Sequence, residues 1–333
     1  MKELFATDLA RFENQTVTAF FAAASRQLRT KADGSGYLCI TLADCTGQLE
    51  GRMWEIKDDA GEFEAGDILK VRGLVSRYQE KLQIKLDRVR RADPVADAGE
   101  YDLGDFVPKT SFDIDDLWSR LTAYVASFVD PHLRALLELF LGDPTIATAM
   151  REAPAAKALH HAWIGGLLEH IVSLLDVCDS TARHYPEVNR DLLLAGAMLH
   201  DIGKLHELSW GTNFAYTVEG QLLGHISIGA SMIDQKLAQL PDFPPRLRTL
   251  LLHLVLSHHG RLEFGSPKLP MTAEALLLHY LDDLEAKMQT FRSEFKRAVA
   301  NGARAGEPTD YIRSMERPLL DSRAFLAGEN KQG

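Results

Sequence analysis

Hydrophobic and polar positions change their period once along this chain. From Phe12 to Arg91, short runs such as YLCITLAD, GQLEGRMW, DILKVRGLVSRY and KLQIKLDRVR alternate, with Asp-Gly, Thr-Gly and Ala-Gly-Asp turn signals between them. In LQIKLDRV, Leu82, Ile84 and Leu86 alternate with Gln83, Lys85 and Asp87, the period of a strand buried on one face. Four or five such strands predict a small barrel over residues 1–92, its basic side chains facing outward. Residues 93–109 (DPVADAGEYDLGDFVPK) carry Pro, Gly and Asp without sustained period and predict a linker. From Ser111 the spacing is helical. Asn189 caps a helix whose apolar face includes Leu192, Ala195, Met198 and Leu199; it ends at His200 and Asp201, with Gly203 where a helix would stop. A later helix from Thr272 to about Thr290 repeats Leu277, Tyr280, Leu281, Leu284 and Met288, predicting one buried stripe with Asp282 beside it. Residues 110–300 thus predict an all-helical domain. Residues 301–333 predict a partly irregular tail with a short helix candidate and no readable role.

Composition narrows the class. A chain of 333 residues exceeds what one core usually holds, so two cores are expected, and 46% apolar with 25% charged residues is the balance of a globular protein. Apolar runs such as Leu250–Leu256 fall far short of the roughly 20 residues of a membrane span, and the acidic start MKELFATDLARFE lacks a secretory pattern, so a cytoplasmic protein with no membrane partner is expected. Three scattered cysteines, Cys39, Cys45 and Cys178, give neither a disulfide framework nor a CxxC zinc site. The net charge of −10 excludes a protein that coats nucleic acid indiscriminately. Residues 1–92, however, carry 15 Lys and Arg against 14 Asp and Glu, while the remainder carries 22 against 33. Any polyanion would be attracted locally.

All twelve histidines lie at or after His132, and several adjoin another group able to bind metal: His200-Asp201, His258-His259 and, among carboxylates, Asp282-Asp283. Imidazole and carboxylate together suit Mn, Fe, Ni or Zn, and the number of ligands suffices for two ions. Two ions a few ångströms apart activate water and neutralise phosphate in an in-line displacement, so the chemistry indicated is phosphoester hydrolysis. A lone histidine or HD dipeptide is more often a surface or core residue; the set carries the reading.

The order EH at 169–170, LHDIGK at 199–204, GH at 224–225, SHHG at 257–260 and YLDD at 280–283 resembles the HD phosphohydrolase superfamily. The resemblance implies that His170, His200, Asp201 and Asp282 form the basic metal site. His225 with His258 or His259, which the sequence does not rank, would complete a second ion's shell, and Lys204 would contact substrate phosphate. Asp283 could exchange roles with Asp282. His160 and His161 could line the same cleft or serve as surface or capping residues, and His253 and His279 read as structural.

YLCITLADCTGQLEGRMW followed by GDILKVRGLVSRY resembles OB-fold modules that bind single-stranded nucleic acid and tRNA anticodons. Such barrels stack bases on aromatics and track phosphates with a basic groove, and Arg29, Lys31, Arg52, Trp54, Arg77, Tyr78 and Lys81 supply both residue types. Phe20 and Trp54 are also candidates for core packing, so stacking falls first to Tyr78 and then to Trp54. The fold class expected is multidomain α+β, an OB-fold barrel followed by an all-α HD-type domain.

From about Phe12 to Met288 the chain resembles the YhaM-like 3′-to-5′ exoribonucleases, through HHAWIGGLLEHIVSLLD, LLLAGAMLHDIGKLHEL, YTVEGQLLGHISIG, HLVLSHHGRLEFGSPK and LLLHYLDDLEAKM. That resemblance implies Mn-stimulated removal of nucleotides from 3′ ends of single-stranded RNA, with single-stranded DNA a second substrate and Mg a further alternative ion. Leu- and Ala-rich helices leave room for a homo-oligomer. The rivals are an HD hydrolase of a small nucleotide and a non-catalytic nucleic-acid-binding protein. Against the first, SHHG is followed by RLEFGSP rather than the GYP motif of cyclic-dinucleotide enzymes; against the second, no metal position is replaced.

Overall fold

Alternation over the first ninety residues produces five strands: β1 (Thr16–Thr30), β2 (Gly36–Asp44), β3 (Gly47–Met53), β4 (Ile68–Tyr78) and β5 (Lys81–Arg91). The structure is a computed structural model that describes residues 2–31, 33–56, 62–79, 81–157, 161–211, 214–300, 304 and 306–329. It divides into two units, residues 1–111 with 209–215, and residues 112–208 with 216–333.

The strands close a barrel in the order β1-β2-β3-β5-β4, with β4 returning to β1 and only the β3–β5 pair parallel. This is the OB-type barrel. Its core holds Phe21, Ile40, Leu42, Leu69, Val75 and Ile84, one per alternate position of the inner faces. In β5, Ile84, Leu86 and Val89 face inward; a register shift against β4 at Arg72/Gly73 explains why strict alternation gives way after Leu86. Gln83, expected outside, is buried and donates to the Ser76 hydroxyl at 3.3 Å.

Residues 93–109, read as a linker, pack onto the barrel. Asp97 is buried and accepts from both Arg90 terminal nitrogens at 2.7 Å, from Lys70 Nζ at 3.0 Å and from the Asp93 backbone N–H at 2.8 Å. The Arg90 fork, set against the cost of burial, holds this carboxyl well below the usual range. Phe106 and Val107 are buried, and Tyr101 lies 5.0 Å from the Phe20 ring, which is buried but stands on the face of β1 opposite the barrel's core cluster.

The second unit comprises α1 (Ile114–Ala126), α2 (Pro131–Leu141), α3 (Pro144–Glu152), α4 (Gly166–His184), α5 (Arg190–Leu199), α6 (Lys204–Glu207), α7 (Val218–Leu237), α8 (Pro245–Ser257), α9 (Ala273–Ala300) and α10 (Ser322–Glu329). Between α6 and α7 the chain forms a short strand pair, β6 (Leu208–Trp210) with β7 (Phe214–Tyr216), whose residues 209–215 belong to the first unit. Asp113, Asp130 and Asp143 cap α1, α2 and α3, each accepting two backbone N–H bonds worth about 1 kcal/mol per cap, and proline follows the last two caps. Asn189 caps α5 through Leu192 N–H, and residues Asp191–Leu199 are all buried, so α5 is the central helix. It packs against α4, α8 and α9. No helix among the described residues is long and apolar enough to cross a membrane.

One face was misread. On α9 the expected buried stripe is largely outside: Tyr280, Leu284 and Met288 are 60%, 49% and 44% exposed. The inward line is Glu274, Ala275, Leu278, Glu285 and Gln289. The helical period was right, but carboxylates needed inside turn the polar stripe toward the core.

Asp97→Asn removes the charge from four hydrogen bonds and should destabilise the barrel by about 1.5–3 kcal/mol in denaturant titration. Because the folded pKa is depressed, the Asp97 contribution is complete above the ordinary carboxylate range and is lost as pH falls through it. The difference between wild type and Asp97→Asn should therefore shrink below about pH 4; a difference independent of pH would exclude this assignment.

Candidate metal centre

Three helices and two turns bring the HD residues together. α4 carries His170; the turn after α5 carries His200 and Asp201; α7 carries His225; the turn after α8 carries His258 and His259; and α9 carries Asp282. His170 Nε2 lies 3.2 Å from Asp282 Oδ1, 3.3 Å from His200 Nε2 and 3.8 Å from Asp201 Oδ2. His200 Nε2 is 3.2 Å from the same Asp201 oxygen. The other oxygen, Asp201 Oδ1, is 3.5 Å from His225 Nε2 and 3.8 Å from His258 Nε2. His225, His258 and His259 form a further set of converging donors. Asp201 therefore offers one oxygen to each of two donor groups.

Each imidazole is tied by its far nitrogen. Nδ1 of His200 donates to Ala197 O at 2.9 Å, Nδ1 of His258 to Val255 O at 2.7 Å and Nδ1 of His259 to Phe264 O at 2.8 Å. A carbonyl oxygen only accepts, so these rings hold a proton on Nδ1, which leaves Nε2 as the nitrogen that could take a metal. Nδ1 of His170 meets Glu285 Oε2 at 2.8 Å, and Nδ1 of His225 meets Glu207 Oε1 at 3.0 Å. The residues fit a metal: buried His225 Nε2 and Asp201 Oδ1 have no hydrogen-bond partner among the described residues, an arrangement costly to leave unsatisfied.

Burial opposes charge throughout the site, and specific neighbours decide the outcome. At His170 the carboxylates of Asp282 and Glu285 outweigh burial and lift the pKa to about 10, so ion binding there is coupled to loss of the Nε2 proton. Burial holds His258 and His259 below the usual imidazole range, as neutral donors. Asp201 stays ionised because His200 and Lys204 outweigh its burial. Lys204 Nζ sits 2.6 Å from Asp201 Oδ2 and lines a cavity of about 870 Å³ together with His170, Asp201, His258, His259 and Asp282. That is the upper end of the roughly 300–1,000 Å³ found for small-molecule sites.

Sequence reasoning missed the groups behind the ligands. Glu285 accepts from His170 and also meets His161 Nε2 at 3.0 Å; His161 is buried, and Glu169 beyond it accepts from Trp163 Nε1 at 2.8 Å. Glu285 stands three residues after Asp282, on the same helix face, and that spacing was the available signal. Glu207 accepts from both the backbone N–H and Nδ1 of His225. His279 Nδ1 donates to His258 O while its ring lines the cavity, and His253 Nε2 accepts from Met271 N–H. Asp283 points to Lys287 rather than to the cluster. His160 lies outside the described residues. Gly203 is not a left-handed cap; a side chain there would strike His225 O at 2.0 Å. Gly224 breaks α7 at φ 71°, ψ 153°, a conformation open essentially only to glycine, and so sets the angle of His225.

On the barrel, Tyr37 and Trp54 stack at 4.7 Å, and the Arg52 guanidinium lies 4.9 Å from the Tyr78 ring and 5.9 Å from that of Trp54. Trp54 and Tyr78 are 39% and 52% exposed, so neither belongs to the core. Arg29 pairs with Tyr37 across β1 and β2, which brings it to the same face. Tyr37 was not anticipated. Arg77 pairs with Glu13, Lys81 is exposed opposite Tyr78, and Lys31 is half-buried at the β1–β2 turn.

Residues 167–287 match the HD domain family, and residues 25–92 match the OB-fold nucleic acid binding domain family. The solution structure of the second OB-fold domain of replication protein A from Methanococcus maripaludis is 22% identical over 24% of this chain and 87% of its own, with a TM-score of 0.20. The two family matches support a nucleic-acid-acting HD hydrolase that depends on a divalent metal.

Glu285→Gln should weaken Mn binding in calorimetric titration by about 10–100-fold, with Glu285→Ala at least as severe, because the orientation of His170 is lost. Wild-type affinity in both folded variants would remove Glu285 from this role.

Proposed function

We propose that this protein is a metal-dependent 3′-to-5′ exonuclease of single-stranded RNA, acting also on single-stranded DNA. The observation that carries the reading is the set of imidazoles whose Nδ1 atoms are tied outward and whose Nε2 atoms converge on the two oxygens of Asp201, in a chain that also holds an OB-fold nucleic acid binding domain. The direction of attack and the preference for Mn rest on the likeness of the HHAWIGGLLEH, LHDIGK and SHHG stretches to YhaM-like exoribonucleases.

Bound at these donors, divalent ions supply a nucleophilic water at neutral pH and neutralise phosphate charge. His170, His200, Asp201 and Asp282 would hold one ion, and His225, His258 and His259, with the second Asp201 oxygen, the other. Lys204, already charged beside Asp201, faces the cavity where a phosphate would enter, and its ammonium offsets charge on the phosphoryl oxygens. The barrel's Tyr37, Trp54, Arg52 and Tyr78 hold bases and backbone, which keeps the strand at high effective concentration for the same polypeptide. Loss of the 3′ oxygen as leaving group yields nucleoside monophosphates.

A 5′-labelled single-stranded RNA incubated with the protein and Mn should give a descending ladder on a sequencing gel. Chelator should abolish it, and Asp201→Ala should slow it by about 10²–10³-fold or more. An intact strand despite bound metal would reject the exonuclease and direct the search to small nucleotides.

A further inference from the structure

The C-terminal segment has a place in the cleft. After α9 the chain forms a loop tied at its base: Ile312 N–H donates to Arg317 O at 3.1 Å, Thr309 N–H to Leu319 O at 2.8 Å, and Leu319 N–H to the Thr309 hydroxyl at 3.0 Å. Ile312 and Leu319 are buried and anchor it, while Glu316 makes the turn in the left-handed region at φ 54°. Residues 314–317 line the same cavity as His170 and Asp201.

Among the described residues, four cationic side chains line that cavity. Lys204 is paired with Asp201, and Lys287 with Asp283. Among the described residues, Arg261 and Arg317 have no carboxylate within ion-pair distance. Arg317 Nε donates to Met315 O at 2.9 Å, which orients the guanidinium and leaves its two terminal nitrogens for a ligand. Arg261 lies 5.7 Å from the Phe264 ring, directly after the SHHG turn that carries His258 and His259. Tyr280, 60% exposed, stands on the cavity wall half a turn before Asp282.

We propose that Arg261 and Arg317 form a phosphate-binding edge of the metal cleft, gripping the strand's backbone next to the scissile bond, with the Tyr280 ring beneath the neighbouring base. A planar fork without a carboxylate partner matches a phosphodiester's paired oxygens, and an exposed ring beside it suits base stacking. The assignment rests on the exonuclease reading and gives the C-terminal segment a part in selecting a polymer over a free nucleotide.

The test uses the full chain with Mn and 5′-labelled single-stranded RNA, measuring KM and kcat across a salt series for Arg261→Gln, Arg317→Gln, the double variant and Arg317→Lys. Metal content and melting temperature are checked for each. Each Gln variant should raise KM about tenfold or more. Each should also flatten the log–log salt dependence by about 0.7, the value for one lost single-strand phosphate contact, and the double variant by the sum. Arg317→Lys should restore the slope while KM stays raised, because the charge returns without the fork. Wild-type KM and slope in metal-loaded Gln variants would overturn the phosphate edge and leave the exonuclease standing. Wild-type protein that hydrolyses bis(p-nitrophenyl) phosphate but leaves RNA and DNA strands intact would overturn both.

Discussion

The helical unit depends on the outward tethering of its imidazoles. A free imidazole carries its proton on either nitrogen and rotates about two bonds; here backbone carbonyls at the ends of α5 and α8, and the carboxylates Glu207 and Glu285, take Nδ1 and hold the ring plane. The turns after α5 and α8 therefore act as parts of the site rather than as connections. A carbonyl at a helix C-terminus has no partner within the helix, so using it to fix a histidine satisfies two needs at once.

This arrangement places charge where a core would normally be apolar. Asp201, Lys204, Asp282 and Glu285 are buried or nearly so, and each is stable there only because another member of the cluster compensates it. The surrounding helices supply the apolar mass: Leu192–Leu194 and Ala197–Leu199 on α5, Leu167, Leu168 and Ile171 on α4, and Leu251, Leu254 and Val255 on α8. The central helix is buried on all sides, which explains why its sequence reads as an almost continuous apolar run ending in His200 and Asp201.

What could be read from the chain alone was local chemistry: the Asn189 cap, the alternation of four or five strands and the HD-type strings that name His170, His200, Asp201, His225 and Asp282. What could not be read depended on facing. The apolar residues of α9 keep helical period, yet Glu285 and Asp282 must point inward, so Tyr280 and Leu284 turn out. Periodicity reports a face without saying which side is buried. Trp54 reads as a core candidate ahead of a stacking one, yet its ring is partly exposed and stacks on Tyr37 at the surface. The C-terminal loop was unreadable because Ile312 and Leu319 anchor it beside His170 and Asp201, which lie more than a hundred positions earlier in the chain.

The division of Asp201 between two donor groups has a thermodynamic consequence. Its Oδ2 belongs with His170 and His200 and its Oδ1 with His225 and His258, so the carboxylate cannot adjust to one ion without changing what it offers the other. Were each donor group to hold an ion, the two occupancies would be linked: whatever factor the first ion imposed on the affinity of the second, the second would impose equally on the first. The two positions would then load as one linked unit, with a single side chain as its hinge.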